Sequence, residues 1–226
     1  MSAIRGGIVL ALSVVLVCCA SAQAVPWTNP SGTASYFDWN GGQDSTGLFG
    51  SPTLVGGNAF RFSPPAFRAE AQDGATDPEW DMAQWNVVAH PGYNFTQIII
   101  VERGDWQIAG PGPGNLARDL TYASAADNLD IFNFVDDTQQ LEWTTSGSGS
   151  WNLTMTLDLS SFFPAPTDIH LQLQNNLLAI SGGPGNYAMI QKKLAGEVVD
   201  VEVIPEPATF VLLAIGLLPL IRRSRS

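Results

Sequence analysis

From Leu153 to Leu159 the chain reads Leu-Thr-Met-Thr-Leu-Asp-Leu, apolar at every odd position and polar at every even one. A pleated strand sends successive side chains to opposite faces, so this spacing fits a half-buried strand and no helix. Ile169-His170-Leu171-Gln172-Leu173-Gln174 and Val199-Asp200-Val201-Glu202-Val203 follow the same rule. Phe95 to Val101 ends in Ile98-Ile99-Ile100-Val101 without alternation, and reads as a strand covered on both faces or the central strand of a sandwich. Glycine and proline punctuate these runs. Ser146-Gly147-Ser148-Gly149-Ser150 predicts a hairpin that would set Trp143 and Trp151 face to face as a cross-strand pair. Gly110–Gly114 and Gly182–Asn186 mark two more breaks, and only Asn115 to Ala126 offers a helix, a short one. The expectation is an all-β chain forming a single antiparallel β-sandwich, jelly-roll-like.

The two ends read differently. Arg5 supplies a positive start, Ile8 to Val17 is apolar apart from Ser13, and Ala22-Gln23-Ala24 is an A-x-A cleavage site. Residues 1–24 are therefore expected to be a signal peptide, and 25–204 a secreted sandwich. Cys18 and Cys19 raise a lipoprotein alternative, but the residue before a lipidated cysteine should be small, and here it is Val17 or Cys18. Both cysteines fall in the leader, so 25–204 can form no disulfide, thiolate metal site or cysteine nucleophile. That segment has six basic residues against 20 acidic ones, every Asp and Glu of the chain except Glu206, for a formal charge of −14. Such a balance disfavours nucleic acid and anionic lipid as partners and would attract cations.

Residues 205–226 comprise Pro205-Glu206-Pro207, an uncharged apolar run from Ala208 to Ile221, and the basic end Arg222-Arg223-Ser224-Arg225-Ser226. As a helix at about 1.5 Å per residue, the 14 apolar residues would reach roughly 21 Å, short of a ~30 Å hydrocarbon core unless the arginines snorkel to phosphates. Basic residues favour the cytoplasmic side, which would leave the domain outside. The prolines disfavour helix and keep the segment before the membrane extended. Pro205, Glu206, Pro207, Arg222 and Arg223, with the apolar helix between them, closely resemble the PEP-CTERM sorting signal of Gram-negative bacteria. That resemblance implies cleavage by an exosortase-type membrane protease. It implies delivery through the inner membrane to the cell surface or matrix, with only transient membrane contact through the tail.

Catalytic signatures are missing from the sequence: it contains no HExxH, GxSxG or GxxxxGK[ST]. His170 alternates outward between Ile169 and Leu171, and His90 precedes a Pro91-Gly92 turn. Carboxylates are abundant. Glu70, Asp73, Asp77, Glu79 and Asp81 crowd a stretch that Gly74 and Pro78 make loop-like, between a strand reaching Arg68 and one beginning near Trp80. Oxygen ligands from such a loop suit Ca²⁺, with Asp73, Asp77 and Glu79 as donors. A carboxylate pair could instead serve glycoside hydrolysis, but sequence spacing fixes no distance between the two. Asp38-Trp39-Asn40-Gly41-Gly42-Gln43-Asp44 lacks the glycine and the closing glutamate of an EF-hand and reads as a glycine-rich turn after Ala34–Phe37.

Of seven tryptophans, Trp39, Trp80 and Trp106 each adjoin an acidic residue in or near a loop and are the candidates for a sugar-stacking platform. Three functions follow. The first is an exported, non-catalytic structural or adhesive protein of the exopolysaccharide matrix. The second is a carbohydrate-binding module that meets extracellular polysaccharide. The third is a secreted glycan hydrolase.

Overall fold

The computed structural model describes residues 24–64, 66–192 and 199–207, so the leader before Ala24 and the tail after Pro207, with Arg222 and Arg223, lie outside it. The described residues form fourteen strands and no helix. In chain order these are β1 (Val25–Pro26), β2 (Gly32–Thr33), β3 (Phe37–Asp44), β4 (Thr53–Val55), β5 (Ala59–Phe62), β6 (Arg68–Gln72) and β7 (Thr76–Ala89). There follow β8 (Tyr93–Ala109), β9 (Leu116–Asp127), β10 (Phe134–Trp143), β11 (Gly147–Asp158), β12 (Asp168–Ile180), β13 (Tyr187–Lys192) and β14 (Val199–Pro207).

Two antiparallel sheets pack face to face as a sandwich. The first runs β1-β3-β7-β12-β9-β10, with β2 also on β3; the second runs β4-β5-β14-β8-β13-β6, with β11 on the other edge of β8. β8 is the spine of the second sheet. One edge pairs with β11 over Gln97–Ile108, and the other is shared end to end by β14 over Tyr93–Val101 and β13 over Gly104–Ala109. The run from Phe95 to Val101 is thus a central strand, though its burial alternates.

The period-two stretches point as their spacing requires. Leu153, Met155, Leu157, Ile169, Leu171, Leu173, Val201 and Val203 are buried in one core shared by both sheets. Trp27, Phe60, Phe62 and Trp85 interlock there, with ring centroids 5.3–6.4 Å apart.

Four local expectations are corrected. Asn115–Ala126 is extended: Leu116–Asp127 pairs with both β12 and β10, where cross-strand bonding replaces any short helix. Asp38–Asp44 continues strand β3 through a bulge between Asn40 and Gln43, where Gly41 takes a φ of 70°. Ser146–Ser150 makes no hairpin, because β10 belongs to the first sheet and β11 to the second. Trp151 consequently lies opposite Gly104, while Trp143 stacks on Trp106 at 5.3 Å and 14°. A Cβ at Gly104 would stand 2.3 Å from the Trp151 ring, so only glycine admits that indole.

Beside the aromatic core two carboxylates pin the segment after β3. Asp81 accepts backbone N–H bonds from Thr46, Leu48 and Phe49 at 2.6–3.0 Å. Asp44 Oδ1 accepts a side-chain bond from the Trp27 indole N–H at 2.6 Å. Burial pushes the Asp44 carboxyl up to about 7, against the opposing effect of the Trp27 bond and with help from the Asp81 charge. The raised value means that the unfolded state ionises first as pH rises. Stability contributed here therefore falls from about pH 4 to about pH 7 and stays low above that. Asp44→Asn, which keeps the acceptor, should stabilise the chain at pH 8 by on the order of 1–2 kcal/mol and leave it unchanged at pH 4. Urea midpoints at the two pH values check this.

Candidate functional site

The outer face of the first sheet carries partly exposed side chains along β7 and β12. On β7, Asp81, Ala83, Trp85 and Val87 point inward, so Trp80, Met82, Gln84 and Asn86 point out. On β12, Ile169, Leu171, Leu173, Asn175 and Leu177 are buried, which turns His170, Gln172, Gln174 and Asn176 outward. Register then aligns them in rows: Trp80 with Asn176 and Leu120, Met82 with Gln174 and Tyr122, Gln84 with Gln172 and Ser124. The next row, Asn86 with His170, begins a bonded polar ladder. Asn86 donates to Asn40 Oδ1 at 3.1 Å, and His170 Nδ1 lies 3.0 Å from Asn86 Oδ1. That oxygen only accepts, so Nδ1 carries a proton, and burial holds the His170 pKa below its ordinary value.

The middle rows differ from that ladder. Among the described residues, the side-chain amides of Gln84, Gln172, Gln174 and Asn176 have no protein hydrogen-bond partner. They offer donors and acceptors to whatever lies on the sheet. Trp80 stands beside them with 46% of its surface exposed. An open aromatic ring and a grid of unpaired amides can stack on a ring's C–H face and bond its hydroxyls.

The other two tryptophans chosen from sequence are committed to packing. Trp39 lies over Gly32, where a Cβ would come within 2.3 Å of the ring, and its edge meets Phe60 at 5.6 Å. Trp106 has Trp143 on one side and Gly147 and Gly149 against it. Acidic neighbours in sequence selected all three; cross-strand neighbours decide which ring is free.

The acidic stretch is mostly strand, a further correction. Only residues 73–75 separate β6 from β7, and Asp77 and Glu79 lie on β7 itself. Asp73 adopts a φ of 53° and accepts from the Gly185 amide, while Asp77 accepts from the Glu70 amide at 2.7 Å. Burial, then the Asp77 charge, raises the Glu79 pKa. Among the described residues no three Asp, Glu, His or Cys side chains come together as a metal site.

Sequence reasoning missed a buried polar group between the sheets. Lys192 Nζ reaches Glu102 Oε2 at 2.5 Å and Asp119 Oδ1 at 3.1 Å, and sits 4.6 Å above the Trp151 ring. Thr121 Oγ1 donates toward Glu102 at 2.8 Å and Asp119 lies 3.0 Å away, while Asn175 donates to Glu102 at 3.2 Å. Burial pushes Asp119 up to about 6, opposed by the Lys192 charge. Glu102, Asp119, Thr121, Asn175 and Lys192 are each 0% exposed. No substrate reaches this carboxylate pair, so it serves the core and not hydrolysis. A more open cavity of about 360 Å³ is lined by Tyr36, Asn58, Tyr93, Glu202, Ile204 and Pro205. Asn58 and Glu202 bond each other across it at 3.0 Å.

No family model matches the chain, and no curated protein matches it. Among solved structures it is similar to a Family 16 carbohydrate-binding module, at 10% identity and a TM-score of 0.25 over 69% of this chain and 80% of that one. It is also similar to a carbohydrate-binding module with specific mannan recognition, at 11% identity and a TM-score of 0.19 over 80% and 96% of the two chains. At these scores the likeness carries no argument about a ligand.

Proposed function

We propose that this is an exported, non-catalytic protein of the cell surface or extracellular matrix, whose first-sheet outer face binds polysaccharide. One observation carries the binding reading: an exposed Trp80 indole beside Gln84, Gln172, Gln174 and Asn176, whose amides are unspent within the protein. Amides on a rigid sheet suit neutral sugar hydroxyls, which need both donors and acceptors. Export and tail processing by an exosortase are supported by the A-x-A leader and by the resemblance of residues 205–226 to the sorting signal. An adhesive role in the matrix follows if glycan binding and surface delivery coincide. Calcium is not needed for this reading, since Asp73 and Asp77 each satisfy a backbone amide.

Affinity electrophoresis of the chain through gels containing neutral or acidic polysaccharides tests the proposal. Retardation by at least one is expected, weakened about tenfold by Trp80→Ala, equivalent to about 1.4 kcal/mol. Gln174→Ala should weaken it further, and Tyr36→Ala, in the other cavity, should not. Retardation lost with Tyr36→Ala and kept with Trp80→Ala would move the site off the sheet.

A further inference from the structure

The end of the sandwich from which the chain departs carries four exposed apolar side chains. β14 ends at Pro207 beside Tyr93, the first residue of β8. Register places the end of β7, the start of β12 and the end of β9 together, through the pairs Asp168–Val88 and Ile169–Asp127. The end of β11 joins them, with Asp158 opposite Gln97. The β9–β10 and β11–β12 connections therefore lie at the end where β14 stops. On them Leu129, Ile131, Phe132 and Phe163 are 75–89% exposed, the least covered large apolar side chains among the described residues.

The β9–β10 turn is built to hold that arrangement. Asp127 accepts from the Leu129 amide and Asp130 from the Phe132 amide, at 2.8 and 3.1 Å. Polar side chains thus cap the turn's own backbone while its apolar ones face outward. Isolated exposed apolar residues are ordinary, but a cluster at one pole marks a contact surface.

The sequence says what meets it. Residue 208, directly after the last residue of β14, begins the 14-residue uncharged apolar run, with arginines beyond it. No linker intervenes. A bilayer that takes up Ala208–Ile221 must lie within a residue or two of Pro207, about 3.5 Å per residue of extended chain, and so against this pole. Charged side chains beside the apolar ones include Asp130, Asp158, Asp168 and Glu206, which match an uncharged lipid surface better than an anionic one.

We infer that this pole is a membrane-docking surface: while the tail is inserted, Leu129, Ile131, Phe132 and Phe163 rest in the interfacial region of a zwitterionic bilayer. The surface orients the sandwich and presents the Pro205–Pro207 segment at the lipid boundary. The inference rests on the tail inserting, and its test separates the two.

The test uses the chain from Val25 to Ser226, which lacks the apolar leader and both cysteines, with one new cysteine carrying a polarity-sensitive dye. Ile131→Cys and Phe163→Cys probe the pole, and Thr145→Cys, between β10 and β11 at the opposite end, is the reference. In phosphatidylcholine vesicles the protein should float with lipid, dyes at 131 and 163 should shift to the blue and be quenched by a lipid-borne quencher, and the dye at 145 should not. Ending the chain at Pro207 should abolish the shifts. Flotation without a shift at 131 and 163 overturns the docking surface and leaves tail insertion standing. Failure of the chain ending at Ser226 to float overturns both. A concentration-dependent shift at 131 without vesicles would assign the pole to a second copy of the chain.

Discussion

Lys192→Met is expected to destabilise the fold by about 3–5 kcal/mol, because it strands the Glu102 and Asp119 carboxyls between the sheets without their cation. A domain of this kind holds only about 5–15 kcal/mol in total, so the variant should approach the folding threshold. Methionine keeps the length of the side chain and its packing over Trp151, which isolates charge from volume. Two accompanying results distinguish a stranded charge from a cavity. The deficit should shrink toward pH 4, where the Asp119 carboxyl, pushed up to about 6 by burial, takes up a proton. It should also be largely recovered by adding Glu102→Gln and Asp119→Asn, since removing a whole buried ionic group is often close to neutral. Urea midpoints at constant slope report each difference.

None of that group was chosen from sequence, although its parity is visible there. Glu102 continues the inward series Phe95, Ile98, Ile100; Asp119 and Thr121 lie between Ala117 and Ala123; Asn175 lies between Leu173 and Leu177. A polar residue at an apolar position of an alternating strand is the signal. Reading Asn115–Ala126 as a short helix hides it. Even with correct parity, only topology brings β8, β9, β12 and β13 within hydrogen-bond reach. The same limit governs the open face. Alternation in 169–174 turns Gln172 and Gln174 outward from sequence alone, but their row partners Gln84, Met82 and Tyr122 come from strands far away in the chain. Where the period is clean, as in 151–158 of β11, in β12 and in 200–203 of β14, the burial follows it residue by residue. Where glycines suggested a hairpin, the chain instead crossed between sheets, because local flexibility permits a turn without specifying which strand is paired next.

Leu157→Asp sets the second large expectation, a loss of several kcal/mol. Leu157 lies opposite Ile98 on the buried side of the second sheet and is 1% exposed. Its neighbours across the core are apolar, so aspartate there would lose both the apolar burial and its hydration. The contrast with Glu102 is informative, because both positions face inward on the β8–β11 pair. The carboxylate at 102 is tolerated because Lys192, Thr121 and Asn175 surround it; no such groups wait at 157. Leu157→Asn should be less damaging than Leu157→Asp at pH 8, because it buries a dipole in place of a charge. The two should converge as pH falls and the aspartate is protonated. Thr156, one residue away on the outward side, should accept aspartate with a change of about 0.5 kcal/mol or less. Equal losses at 156 and 157 would mean that the β11 register is shifted by one residue, which reverses every side chain on the strand.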